Sequence, residues 1–63
     1  MNLTEREKEI LRLKKRGYSD YRIARMLKVN VVNVYRSRQN ALRKIKRAKA
    51  DLAFAQQIGV EVD

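Results

Sequence analysis

The sequence predicts an all-α domain of three or four helices, and three observations carry that prediction. Its 63 residues include no Pro and only two Gly, while Ala, Leu, Lys, Arg, Glu and Gln, all strong helix formers, dominate. The N-capping types Thr4, Ser19 and Asn30 each precede a segment whose apolar residues recur at steps of three and four. Gly17 and Gly59 then stand where such segments should stop. A chain of this length buries only about 60% of its unfolded surface, which suits a single small core.

The first helix is predicted over about residues 5–16. Thr4 and Glu7 have the S/T-x-x-E spacing of a capping box, in which side chains and backbone donors satisfy each other reciprocally. Glu5 and Glu7 in the first turn, and Lys14, Lys15 and Arg16 in the last, match the helix dipole. Gly17 supplies a left-handed stop, with Tyr18 packing back on Leu13. Leu3, Glu7, Ile10, Leu11 and Lys14 share one face, so the apolar stripe is narrow.

A second helix over about residues 20–27 is capped by Ser19, with Asp20 in its first turn and Ile23, Ala24 and Leu27 inward. After a short break at Lys28-Val29-Asn30, nothing breaks the pattern until Gly59. A straight helix over residues 31–58 would be about 42 Å long, more than so small a body can cover. The pattern therefore predicts helices over about 31–46 and 48–58, or a second half that projects and pairs. Residues 1–58 form the domain and 59–63 a flexible tail. The expected core is Leu3, Ile10, Leu11, Ile23, Leu27, Val29, Val34 and Ile45.

Two short helices joined by a three-residue turn, the second of them basic, make a helix-turn-helix. Its packing needs are met in register. Ala24 allows the close crossing, Val29 plugs the turn, Val34 anchors the following helix, and Ile23 and Leu27 complete the set. The segments Leu3-Thr4-Glu5-Arg6-Glu7, Ile10-Leu11, Gly17-Tyr18-Ser19 and Ile23-Ala24 resemble the opening of the LuxR (GerE) type DNA-binding domain. Asn40-Ala41-Leu42-Arg43-Lys44-Ile45 resembles the close of that module's recognition helix, and part of it is similar to region four of bacterial primary sigma factors. Residues 47–55 resemble the helical extension of the archaeal Tfx-type regulators. The resemblance covers residues 3–55 without gaps. It departs at the turn, where Lys28 replaces the usual Gly and so sits near the left-handed region at a cost of about 1 kcal/mol. Asn30 replaces the usual Ser or Thr and caps as well.

Charge points the same way. The formal net charge is +9, and its placement is uneven. Residues 1–10 carry a net −1, whereas residues 36–49 carry +7 with no acid at all. Such a segment repels itself until a polyanion arrives. With neither Cys nor His, the chain lacks disulfides, the usual metal ligands and the usual general base. Ser19 and Ser37 have no His beside them, and no glycine-rich phosphate loop exists. An enzyme is not expected, nor a cofactor, a metal or a small-molecule substrate. No apolar run approaches the ~20 residues of a membrane span, and the opening residues lack a secretory apolar region. The expected setting is cytoplasmic and nucleoid-associated.

The resemblance and the charge together imply duplex DNA as partner, with the third helix in the major groove. At 100° per residue and Val34 at zero, Ala41 falls at about 340° and Ile45 at about 20° on the inner face. Val32, Arg36, Gln39 and Arg43 fall opposite, between about 140° and 200°. Arg36 is suited to guanine, Gln39 or Asn40 to adenine and Val32 to a thymine methyl, with Asn33 and Tyr35 at the edges and Arg43 behind them. Phosphate contacts are expected from Ser19, Tyr21, Arg22, Arg25, Lys28, Asn30, Lys44, Lys46 and Arg47. Arg38 points inward and is expected to pair with Glu7. Ala48, Leu52 and Ala55, flanked by Phe54 and Ile58, form a stripe expected to make a homodimer. The alternatives are an architectural protein that coats DNA without sequence preference and a sigma-like module that docks on RNA polymerase.

Overall fold

The computed structural model describes residues 2–60 and contains three helices: α1 (Glu5–Lys15), α2 (Asp20–Leu27) and α3 (Val31–Ile58). Each begins on the residue the sequence marks. The Thr4 Oγ1 accepts from the Glu7 N–H at 3.1 Å while Glu7 Oε1 accepts from the Thr4 N–H at 2.8 Å, a complete capping box. Ser19 Oγ accepts from the Arg22 N–H at 3.1 Å, and Asn30 Oδ1 from the Val32 N–H at 2.8 Å.

All three helices also end alike, with a left-handed residue that turns the chain back onto the last carbonyls. Gly17 (φ +98°), Lys28 (φ 57°) and Gly59 (φ 83°) hold those positions. The next N–H groups, from Tyr18, Val29 and Val60, reach back to the carbonyls of Leu13, Ala24 and Ala55 at 3.2, 2.9 and 2.9 Å. Lys28 is thus the strained residue expected at the turn. It is the only non-glycine residue with positive φ among those described.

The core is Ile10, Ile23, Ala24 and Val34, with Leu13, Tyr18, Leu27 and Val29 packed against it. Ala41 is buried as well. Ala24 and Ala41 are small enough to permit close packing of neighbouring helices. Leu3 and Leu11 are half-buried. Ile45 corrects the expected core, being 42% exposed. The cover supplied by α1 ends near Lys44, which pairs with Glu7 and directly precedes it.

α3 settles how the third segment is built. It runs unbroken, so no separate helix begins at residue 48. Residues 46–58 are rich in Ala with Lys, Leu and Gln and contain no Gly or Pro, so nothing in them interrupts the hydrogen-bond ladder. The molecule measures 45 × 19 × 15 Å, the long dimension being that of α3. Of the expected tail, Gly59 and Val60 form the helix stop, and residues 61–63 lie outside the described residues.

Candidate nucleic-acid interface

Two ion-pair systems fix α3 against the other helices. On one flank, Lys44 Nζ donates to Glu7 Oε1 at 2.8 Å and to the Asn2 carbonyl at 3.3 Å. Glu7 is 6% exposed and the capping box engages the same oxygen. The Lys44 ammonium, helped by the Thr4 backbone N–H, holds the Glu7 carboxyl below its ordinary pKa against the upward push of desolvation. On the other flank, Arg38 donates from Nε and Nη2 to the two carboxylate oxygens of Asp20, at 3.1 and 2.7 Å. Lys14 Nζ lies 3.3 Å from the same Asp20. Arg38 is the main reason Asp20 titrates below its ordinary value, and Asp20 in turn raises the Arg38 pKa.

These pairs correct the expected partner of Arg38, which is Asp20 rather than Glu7. Arg38 and Lys44 lie on opposite flanks of the inner stripe, at about 40° and 280°. Each must therefore meet a different helix, and α2 takes the Arg38 side. The wheel reveals the flanks. Which helix occupies which flank depends on the handedness of the three-helix packing, and the sequence pattern carries no sign of that. Asp20 and Lys14 were therefore missed, although an acid in the first turn of α2 was in view.

With one face of α3 committed inward, the opposite face stays free. Tyr35, Arg36, Gln39, Asn40 and Arg43 line one shallow depression on it. Arg36, Asn40 and Arg43 are exposed and Gln39 is half-buried. Arg43 Nη2 donates to Asn40 Oδ1 at 2.9 Å, which orients that amide within the depression. Val32 and Asn33 are exposed one turn earlier, outside the depression. The seven residues expected to meet bases therefore divide into a clustered group and a preceding pair.

The residues expected to meet phosphates are spread more widely. Tyr21, Arg22, Arg25, Lys28, Lys46 and Arg47 are exposed. Arg22 stacks over the Tyr18 ring at 5.7 Å and, with Arg25 and Met26, lines a second depression on α2. Ser19 and Asn30 use their side-chain oxygens as helix caps. Lys44 is a different case. Its side chain is 19% exposed and bonded to Glu7, so contact with phosphate would require breaking that bridge. Among residues expected to pair two chains, Ala48, Leu52, Phe54 and Ile58 are exposed and Ala55 is half-buried. No group of His, Cys, Asp or Glu among the described residues could hold a metal ion, and no described helix is long and apolar enough to cross a membrane.

Comparison with known proteins places the chain among DNA-binding relatives. The DNA-binding protein Tfx of Methanothermobacter thermautotrophicus is 36% identical over 56 residues, which cover 89% of this chain and 41% of that protein. The chain thus spans about two fifths of that relative's length. No solved structure matches it. The family of bacterial regulatory proteins of the luxR type, GerE, matches residues 1–53, which is most of the chain and includes all of α1, α2 and the basic half of α3. The chain belongs to that family.

Proposed function

We propose that this chain is a regulator that reads duplex DNA, with the first half of α3 in the major groove. The observation that carries the reading is the depression lined by Tyr35, Arg36, Gln39, Asn40 and Arg43. It gathers residue types that recognise base edges onto a helix face that no other element covers. A major groove about 12 Å wide admits one helix. Arg36 presents a fork for guanine O6 and N7, and Gln39 an amide for adenine N6 and N7. Arg22, Arg25, Lys28, Lys46 and Arg47 flank that face and meet phosphates, joined by Tyr21 and by the free amides at the start of α2. Val32 and Asn33 extend the base-reading face toward the start of α3. That the similar Tfx is named a DNA-binding protein supports this reading.

The exposed second half of α3 supports a homodimer within the same reading. Ile45, Ala48, Leu52 and Ala55 repeat at three and four, the spacing of a coiled-coil seam, with Phe54 and Ile58 to one side. Leu52 lies 14 residues beyond Arg38, about 21 Å along the helix. Two such arms reach up to about 42 Å, enough for half-sites one turn (~34 Å) apart.

The experiment is a comparison of two kinds of variant on the preferred duplex and on competitor DNA. Arg36→Ala and Gln39→Ala should each cost about 1–3 kcal/mol and relax preference at one base pair. Lys46→Ala should weaken all duplexes alike and lower the salt slope by about one. If Arg36→Ala behaved as Lys46→Ala does, the architectural alternative would replace sequence reading. Sedimentation of wild type beside Leu52→Glu tests the dimer, and a wild-type monomer at tens of micromolar would remove it.

A further inference from the structure

The pairing of Arg38 with Asp20 has a consequence at the edge of the reading face. We infer that Arg38 is a positioning residue for Tyr35, and that the ring so placed selects a thymine through its methyl group. The inference rests on the reading of α3 as the helix that enters the groove.

The guanidinium of Arg38 is held flat against the carboxylate of Asp20 by two parallel hydrogen bonds, and Lys14 Nζ lies 3.3 Å from Oδ1, the oxygen that accepts from Arg38 Nε. Three helices therefore fix one planar group. The Arg38 Cζ lies 5.3 Å from the centroid of the Tyr35 ring, within cation–π range. Tyr35 itself is 51% exposed and forms one wall of the depression that contains Arg36 and Gln39. In this stack the anchored, half-buried partner is the cation and the more exposed partner is the ring. The Arg22–Tyr18 stack is the reverse, with Tyr18 half-buried against the core and Arg22 exposed.

An exposed Tyr on a helix would otherwise share its time among side-chain rotamers. A cation anchored beneath one face of the ring favours a single placement, roughly two- to five-fold at an exposed site. The ring then stands as a fixed apolar edge beside two polar base-reading groups. In the major groove the apolar feature of a base pair is the C5 methyl of thymine. The preferred ligand of this edge is therefore a thymine adjacent to the base pairs met by Arg36 and Gln39. Lys at position 38 would keep the charge near Asp20 but lose the planar fork and the stacking face.

The test replaces each thymine of the preferred duplex, one at a time, with deoxyuridine, which removes only the methyl. Wild type should lose affinity roughly three- to five-fold at the thymine beside the base pairs met by Arg36 and Gln39, the effect of one buried methyl. That sensitivity should vanish in Tyr35→Ala and in Arg38→Lys, persist in Tyr35→Phe, and persist in Val32→Ala. Circular dichroism confirms that each variant is folded, and Asp20→Asn serves in place of Arg38→Lys if the latter unfolds. Sensitivity retained by Tyr35→Ala would overturn the role of the ring. Sensitivity lost in Tyr35→Ala but retained by a folded Arg38→Lys or Asp20→Asn would overturn the role of Arg38. A wild type that binds every duplex equally would instead defeat the reading of α3 on which the inference stands.

Discussion

Along α3, residues 31–44 have two helices against one side, whereas residues 45–58 are exposed at every position but Ala55. The backbone is continuous across the boundary, and the chemistry is not. The first half carries Val34 and Ala41 inward, Arg38 and Lys44 in ion pairs on either flank, and a polar depression outward. Beyond it the inner stripe continues through Ile45, Ala48 and Leu52 with no helix to meet it. The same periodicity thus does two jobs. Where α1 and α2 lie alongside, it makes a core; where they have ended, it leaves a surface. The contrast shows that an apolar stripe reports a face, and that the length of the neighbouring helices decides what the face does.

The largest expected effect separates the two halves by stability. Val34 is fully buried, and Val34→Ala should lower unfolding free energy by about 2 kcal/mol through lost burial and the cavity left behind. Leu52→Ala in the monomer should change it by less than about 0.5 kcal/mol. Thermal and urea unfolding at low protein concentration measure both. Equal losses at the two positions would mean that the second half is packed against the body after all.

A smaller effect concerns acid. Asp20 and Glu7 have folded-state pKa values below their ordinary ones, because Arg38 and Lys44 respectively favour the charged carboxylates. For depressed acids the stabilisation is fully present above the ordinary carboxylate range, near pH 4, and is lost as pH falls through the folded values. Stability should therefore decline below about pH 4.5. Asp20→Asn should cost about 1 kcal/mol at neutral pH and flatten that decline, since solvent still partly screens a pair whose side chains are 19% and 21% exposed. An unchanged acid profile in Asp20→Asn would show that its pair contributes nothing to the seating of the first half.

The smallest effect lies at the turn that sets the angle of the first half. Lys28 occupies the left-handed region, so Lys28→Gly should raise stability by about 0.5–1 kcal/mol. The same change removes a charge beside the proposed DNA face and should slightly reduce the salt slope. Chemical denaturation and salt titration read the two effects separately.

Much of this molecule was legible in its sequence because its signals are local. Thr4 with Glu7, Ser19, Asn30, Gly17 and Gly59 each act within a turn of chain, and all five do in the structure what their spacing implies. The inward residues Ile10, Ile23, Ala24 and Val34 followed from helical period alone. Ile45 did not, because its burial depends on where α1 begins relative to α3. The partners of Arg38 and Lys44 were hidden for a related reason, since a helical wheel ranks residues by angle but is blind to which helix lies on which flank. The face of α3 could be listed from the sequence. That Tyr35, Arg36, Gln39, Asn40 and Arg43 form one depression, with Val32 and Asn33 outside it, needed the side chains in place.

The central claim is that the first half of α3 reads bases. Selection of bound duplexes from a random pool, carried out in parallel with wild type and Arg36→Ala, tests it most directly. Wild type should enrich one motif, bound on the order of 10³-fold or more above unrelated duplexes at physiological salt. Arg36→Ala should enrich the same motif with one position relaxed. A pool that emerges unenriched, with equal affinity for every duplex, would contradict it.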